Sequence, residues 1–191
     1  KPTPAIGGIG LIKNYKDMIT MDLKEIENII LVIGKTEGHL DQSLFARDIL
    51  NEKNGPPPEI NLFNEKNNGE TLLKLIEKKF IKAAHDVSLG GIITALSKMC
   101  ISGKKGVTLK KPKHLINNFE FFFGEDQGRY LIEINNGDYR AVVDILEKNS
   151  VHYDELGIVN KNELIIDDKS KVSIDDLIKT HTNWLTNYMS K

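Results

Sequence analysis

Cysteine occurs once in these 191 residues, at Cys100, so no disulfide can form within the chain and a packed core must hold the fold. Charge of one sign is equally scarce. The 26 Lys plus Arg oppose 27 Asp plus Glu, a formal net charge of -1, so no overall field draws the chain to nucleic acid or to an anionic membrane surface. No apolar run approaches the ~18 residues that a membrane-spanning helix needs. Residues 1 to 20 also have no charged-then-apolar order of a secretory signal, and a cytoplasmic location is expected. His and Cys never fall at metal-ligand spacing, which argues against a zinc site. Gly34-Lys35-Thr36 follows an apolar run as a phosphate loop would, but position 29 is Ile where that motif requires Gly.

What the chain does contain is enough for one core: 40% of its residues are hydrophobic and 28% charged, consistent with a single domain over residues 1–191. Lys1-Pro2-Thr3-Pro4 has no initiator Met and reads as an extended interdomain linker, each Pro biasing its predecessor away from helix. The chain is therefore expected to be a C-terminal piece of a longer protein. Cys100 sits in an apolar helical stretch and is expected to be a buried thiol.

Helices and strands alternate along the sequence. Ala5 to Ile12 reads as a strand, and so does Asn28 to Ile33, whose continuous run Ile29-Ile30-Leu31-Val32-Ile33 suits a strand covered on both faces. Leu40, Leu44 and Ile49 suggest a helix ending before Gly55-Pro56-Pro57-Pro58, and Asn68 to Phe80 a second one. Ile81 to Ala84 forms a short strand, a helix opens at Gly90 and stops near Gly103, and Val107 to Leu109 is again a strand. Pro112 to Phe121 reads as irregular, Tyr130 to Ile134 as a strong strand, and Asp138 caps a helix. His152 to Val159 and Glu163 to Ile166 are strands; Ser173 with Asp176 opens a last helix expected to bury Leu177, His181, Trp184, Leu185 and Tyr188. This order predicts a mixed sheet with helices packed on it.

Two clusters invite a functional reading. In Ala84-His85-Asp86-Val87-Ser88-Leu89-Gly90-Gly91 a strand end, a tight turn and a helix start fall together, where glycines admit close approach and a helix start offers unpaired N–H groups to phosphate. His85-Asp86 could orient a substrate or accept a proton; equally, Asp86 could cap the helix while His85 bonds nearby backbone. In Phe123-Gly124-Glu125-Asp126-Gln127-Gly128-Arg129, a carboxylate could accept from ribose or amine groups, Gln127 offers a donor and an acceptor, and Arg129 could clamp a phosphate or pair with Glu125. Gly7, Gly8 and Gly10 suit either a phosphate approach or a simple bend.

His85 to Gly91 and Phe123 to Arg129 together resemble the C-terminal part of the phosphoribosylformylglycinamidine synthases, ligases of purine synthesis. The likeness extends over Thr3 to Ile12, Gly38-His39-Leu40-Asp41-Gln42-Ser43, Pro56-Pro57 and Leu156-Gly157-Ile158-Val159, with Leu89 where that family usually has an acid. The resemblance implies an α/β (α+β) fold, three-layer α/β/α with a mixed, partly ferredoxin-like sheet, as in the C-terminal domain of the aminoimidazole ribonucleotide (AIR) synthases. It further implies that the full enzyme uses ATP and Mg2+ to activate a substrate amide for attack by ammonia, supplied by a glutaminase subunit, sometimes with a small bridging subunit. This chain would form one wall of a nucleotide or substrate cleft, without catalytic residues or metal ligands and inactive alone. Its partners would be the remaining domains of its own polypeptide, those subunits and small-molecule nucleotides. The site residues implied are His85, Asp86, Ser88, Gly90, Gly91, Glu125, Asp126, Gln127 and Arg129. The alternatives are a purely structural, interdomain-packing module, or the same domain of a selenophosphate synthetase or a hydrogenase maturation factor.

Overall fold

The computed structural model describes residues 5–12, 14–110, 116–166 and 170–190; the linker expected at residues 1–4 lies outside them. The first strand, β1 (Ile29–Ile33), is buried along its whole length, as its unbroken apolar run requires. It is followed by α1 (Leu62–Glu77), β2 (Ile81–Val87), α2 (Gly91–Gly103), β3 (Gly106–Leu109) and α3 (Asn118–Phe123). Then come β4 (Arg129–Ile134), α4 (Tyr139–Lys148), β5 (Tyr153–Asn160), β6 (Glu163–Ile166), β7 (Ser170–Ser173) and α5 (Ile174–Met189).

The seven strands form one sheet in the order β2-β4-β1-β5-β3-β6-β7. β1 runs antiparallel to both β4 and β5, and only β3 and β6 are parallel. The half-sheet β2-β4-β1-β5, with α1 linking β1 to β2 and α4 linking β4 to β5, has the ferredoxin-like arrangement; α2, β3 and α3 are inserted between its second and third strands. Alternation along β1 divides the core. Ile30 and Val32 face Ile92, Leu96 and Met99 of α2 and Phe121 of α3, whereas Ile29, Leu31 and Ile33 face the layer holding Leu72 and Leu75 of α1 and Val142 and Leu146 of α4. Three layers result, as expected. Cys100 is fully buried in the first cluster, and burial pushes its thiol up to about 12, so it is no nucleophile.

Glu133 explains how the chain enters β1. Its carboxylate, fully buried on β4, accepts from the backbone N–H of Lys24 and Glu25 at 2.8 and 3.0 Å and from Asn28 Nδ2 at 2.7 Å. A buried carboxylate is tolerated only when its oxygens are satisfied in this way.

Four expectations need correction. Ala5 to Ile12 pairs with none of the seven strands, and Ile6, Ile9 and Leu11 stand almost fully exposed, because no sheet edge takes their backbone hydrogen bonds. The helix expected over Leu40 to Ile49 shrinks to a π-turn at Ala46–Leu50 after a single helical residue pair, whose first N–H, that of Leu44, is accepted by Glu125 at 2.8 Å. α1 begins six residues before Asn68, at Leu62, because the Asn61 side chain caps it by accepting from the Asn64 N–H at 3.0 Å. Part of the stretch read as irregular is α3, opened by a capping box between Asn117 and Glu120; residues 111–115 of that stretch lie outside the described residues.

The last helix starts as predicted, with the Ser173 hydroxyl accepting from the Asp176 N–H at 3.1 Å. It does not bury what its pattern promised. Leu177 and Ile178 pack on the core, but Trp184, Leu185 and Tyr188 are 64%, 58% and 63% exposed. The helix outruns the sheet that supports its first turns, and the Trp184 and Tyr188 rings stack on each other, their centroids 5.4 Å apart. Among the described residues, no helix is long and apolar enough to cross a membrane.

Candidate ligand-binding cleft

A cleft of about 760 Å³ opens beside the C-terminal end of β1. One wall is the segment after that strand, with Lys35, Glu37, Gly38, His39 and Asp41. The facing wall comes from Glu59, Asn61 and the first turns of α1, which present Asn64, Glu65 and Asn68; the floor is Asp126, Gln127 and Gly128. Two glycines make the floor possible. A Cβ on Gly34 would lie 2.7 Å from the Gly128 carbonyl oxygen, and Gly128 itself sits at φ +66 beside Glu65. The Asn68 amide completes the seam by donating to the Gly128 carbonyl at 2.9 Å.

The two sequence clusters do converge, through direct contact. Glu125 Oε1 accepts from the Gly90 N–H and the Leu44 N–H, both at 2.8 Å, tying the start of α2 to the segment after β1. The Gly91 N–H is donated to Ser88 O at 3.0 Å. The Gly90 and Gly91 N–H groups are thus engaged by the chain itself and are not open to a phosphate. Gly90 is the N-cap of α2, so Asp86 does not cap the helix. His85 Nδ1 lies 2.6 Å from the Asp86 carbonyl and 3.1 Å from Asp86 Oδ1, and the pair borders a separate shallow depression with Met21, Leu72 and Tyr130. Ser88 is exposed on the turn.

Asp126 is engaged more completely still. Its Oδ2 accepts from the Glu37 and Gly38 N–H groups at 3.2 and 3.0 Å, and Oδ1 from the His39 N–H at 3.1 Å. Three successive amides wrapped around one carboxylate form an anion-binding concavity filled by the protein's own anion. Behind it lies Arg129, 1% exposed, donating to Gly124 O at 2.6 Å, Asp126 O at 3.2 Å and Thr36 Oγ1 at 3.1 Å, with Nη1 3.5 Å from Asp126 Oδ2. Burial lowers the guanidinium's pKa, and the carboxylates of Asp126 and Glu125 oppose that shift. The expected phosphate clamp is therefore a structural cation whose partner is Asp126, and its donors point inward.

Of the bend at 125–127, Gln127 is the exposed member and faces the cleft. Thr36 and Gly38 belong to the arrangement and fall in stretches quoted above without a site role, whereas Asn61 and Asn68 were not singled out by motif. For Asn61 the signal was an Asn three residues ahead of a free helical amide; for Asn68, a buried amide on a helix face, there was none. The cleft is rich in carboxylates, and its lysine, Lys35, is already paired with Glu37 at 2.5 Å. Among the described residues no group of three or more His, Cys, Asp or Glu could hold a metal ion. The donor set thus fits hydroxyl and amide groups of a ligand, and does not by itself fit a magnesium triphosphate.

Fold and cleft define a ferredoxin-like α/β domain with an inserted helix and strand and a polar cleft beside its first strand. More narrowly, the chain belongs to the family described as AIR synthase related protein, C-terminal domain, whose model matches residues 25–169. It is 80% identical over 189 residues to the phosphoribosylformylglycinamidine synthase subunit PurL of Pelagibacter ubique, covering 99% of this chain and 26% of that protein. The PurL of Bartonella henselae is 36% identical over 190 residues, covering 100% of this chain and again 26% of the relative. The chain thus spans about a quarter of the length of these relatives. Among solved structures, Thermotoga maritima PurL complexed with FGAR matches with a TM-score of 0.70 at 16% identity, over 85% of this chain and 30% of that one. A HypE-HypF complex matches with a TM-score of 0.56 at 16% identity, over 82% of this chain and 55% of that one. These structural likenesses establish the three-layer fold.

Proposed function

We propose that the chain is the C-terminal domain, over residues 1–191, of a phosphoribosylformylglycinamidine synthase large subunit, an ATP-dependent C–N ligase. The complete enzyme converts formylglycinamide ribonucleotide, FGAR, to its amidine with ATP, Mg2+ and ammonia delivered by a glutaminase subunit in the cytoplasm, with a small bridging subunit where one is present. What carries this reading is the 80% identity to a PurL subunit along 99% of the chain. In it the domain supplies one wall of a nucleotide or substrate cleft, and Gln127 reaches a polar group of the ligand. His85 and Asp86 border a different depression, Ser88 lies exposed on the turn, and Gly90, Gly91, Glu125, Asp126 and Arg129 act by holding the wall together. ATP phosphates and magnesium are held by the other domains.

The test uses the intact polypeptide with its glutaminase partner. Amidine formation from FGAR should require residues 5–190, and the chain alone should form none; turnover by the chain alone, or full turnover by a polypeptide without it, overturns the assignment. Gln127→Ala should raise the Kd for FGAR or ATP about three- to tenfold, the worth of one neutral hydrogen bond, with the melting temperature unchanged. A second reading, a module that packs and binds nothing, is favoured by the internal engagement of Glu125, Asp126 and Arg129. It requires unchanged affinity in Gln127→Ala.

A further inference from the structure

We infer that Asp126 is a positioning residue: by occupying the concavity formed by the Glu37, Gly38 and His39 amides, its carboxylate sets the shape of the cleft wall and thereby the ligand affinity of Gln127 beside it. The inference rests on the reading that this cleft takes a ligand, and it assigns Asp126 a part opposite to the ligand contact that its place in the motif suggests.

The wall is held by individual hydrogen bonds and not by secondary structure. From Gly34 to Ser43 the chain is neither helix nor strand, and Lys35 and Glu37 are exposed and pair only with each other. Its anchors are hydrogen bonds: the Gly34 N–H on His152 O at 2.8 Å, the Thr36 hydroxyl accepting from Arg129 Nη1 at 3.1 Å, the His39 carbonyl on the Glu125 N–H at 2.8 Å, the His39 ring on Pro56 O at 3.0 Å, Gln42 Nε2 on Gly55 O at 2.5 Å, and the three amides on Asp126. Those three are consecutive, so together they fix the turn at Gly38, whose φ of +83 lies in the left-handed region. A hydrogen bond to a charged acceptor is also about twice as strong as a neutral one.

Asp126 can do this because Arg129 makes its burial tolerable. The carboxylate is 8% exposed, with the guanidinium as counter-ion 3.5 Å away and bonded to Thr36, the residue immediately before the three amides. Cation, anion and loop form a closed unit whose next residue along the chain is Gln127. An error in the loop therefore becomes an error in the distance between Gln127 and the facing Asn64 and Asn68, and a misplacement of about 1 Å is enough to forfeit a ligand hydrogen bond.

Asp126→Asn isolates the effect, since the amide keeps the size but turns one accepting oxygen into a donor aimed at N–H groups. The experiment is hydrogen exchange and calorimetry on the intact polypeptide, titrated with ATP and, separately, with FGAR. Asp126→Asn should speed exchange at amides 37, 38 and 39 by about tenfold or more while distant sheet amides stay protected, and raise Kd about tenfold with full stoichiometry. A merely structural anchor would lower the melting temperature and the binding stoichiometry, and would leave the Kd of the folded fraction unchanged. Gln127→Ala should weaken binding without altering exchange at 37–39. Unchanged exchange in Asp126→Asn overturns the inference. So does faster exchange with wild-type affinity, and if Gln127→Ala still weakens binding in that case, the functional reading survives. Wild-type affinity in both variants removes the reading and the inference together.

Discussion

Arg129→Met is expected to destabilise the chain by about 3–5 kcal/mol, the cost of stranding one member of a buried ion pair. Arg129 is among the largest fully buried side chains of the described residues, and its loss leaves Gly124 O, Asp126 O and Thr36 Oγ1 without their donor and the Asp126 carboxylate without its cation. Each unsatisfied buried acceptor costs about 1–3 kcal/mol, although the carboxylate keeps its three amide donors and the sum will not be additive. Met fills most of the space, so the loss measures the polar network and not a cavity. Urea unfolding should show a lower midpoint with an unchanged slope. Arg129→Lys keeps the charge but not the planar fork that reaches three acceptors, and should fall between. The decisive arm is the double variant Arg129→Met with Asp126→Asn. Removing the stranded charge should recover part of the loss, and strict additivity, or a single-variant loss below about 1 kcal/mol, would mean that this ion pair does not organise the region.

Much of the architecture follows from local pattern. An uninterrupted Ile29 to Ile33 suits a strand covered on both faces, and the burial of all five residues bears that out. The start of α2 at the glycine pair, β4 and β6 fall where residue types place them. What local pattern cannot supply is a partner. Ala5 to Ile12 has strand-forming residues and pairs with neither edge of the sheet, and Trp184, Leu185 and Tyr188 have helical spacing but stand exposed. The pattern states that a face is apolar, not that this chain covers it.

The site divides in the same way. The sequence brings Glu125, Asp126 and Gln127 together between glycines, and that much is correct. Which of the three face a ligand depends on amides far away along the chain: Gly90 and Leu44 lie 35 and 81 residues from Glu125, and Glu37 lies 89 from Asp126. A carboxylate reads the same in sequence whether it awaits a ribose hydroxyl or a backbone N–H. Only the fold brings the amides to the acids, and it leaves Gln127 facing the cleft.

Gly91→Ala is expected to cost about 2–5 kcal/mol, from two sources that act together: a left-handed backbone, worth about 1–2 kcal/mol against any residue with a Cβ, and overpacking of about 1–3 kcal/mol. At Gly91 φ is +69, and a Cβ would stand 2.7 Å from Gly124 O, Phe122 O and Phe123 C, all of them backbone atoms. None can rotate away; the end of α3 must shift, and with it the Glu125 carboxylate that holds the Gly90 and Leu44 amides. Gly90→Ala is the internal control. Its φ of +82 carries similar strain, but the added atom meets Thr94 of α2 itself, whose hydroxyl can rotate away while its Cβ, 2.8 Å from the new atom, cannot, so Gly90→Ala adds overpacking within α2 and none against α3. Urea unfolding of both variants gives the difference, and exchange at amides 44 and 90 shows whether the seam between α2 and α3 has opened. Wild-type exchange at amides 44 and 90 in Gly91→Ala would mean that α2 and α3 are not in the close contact on which the Glu125 seam depends.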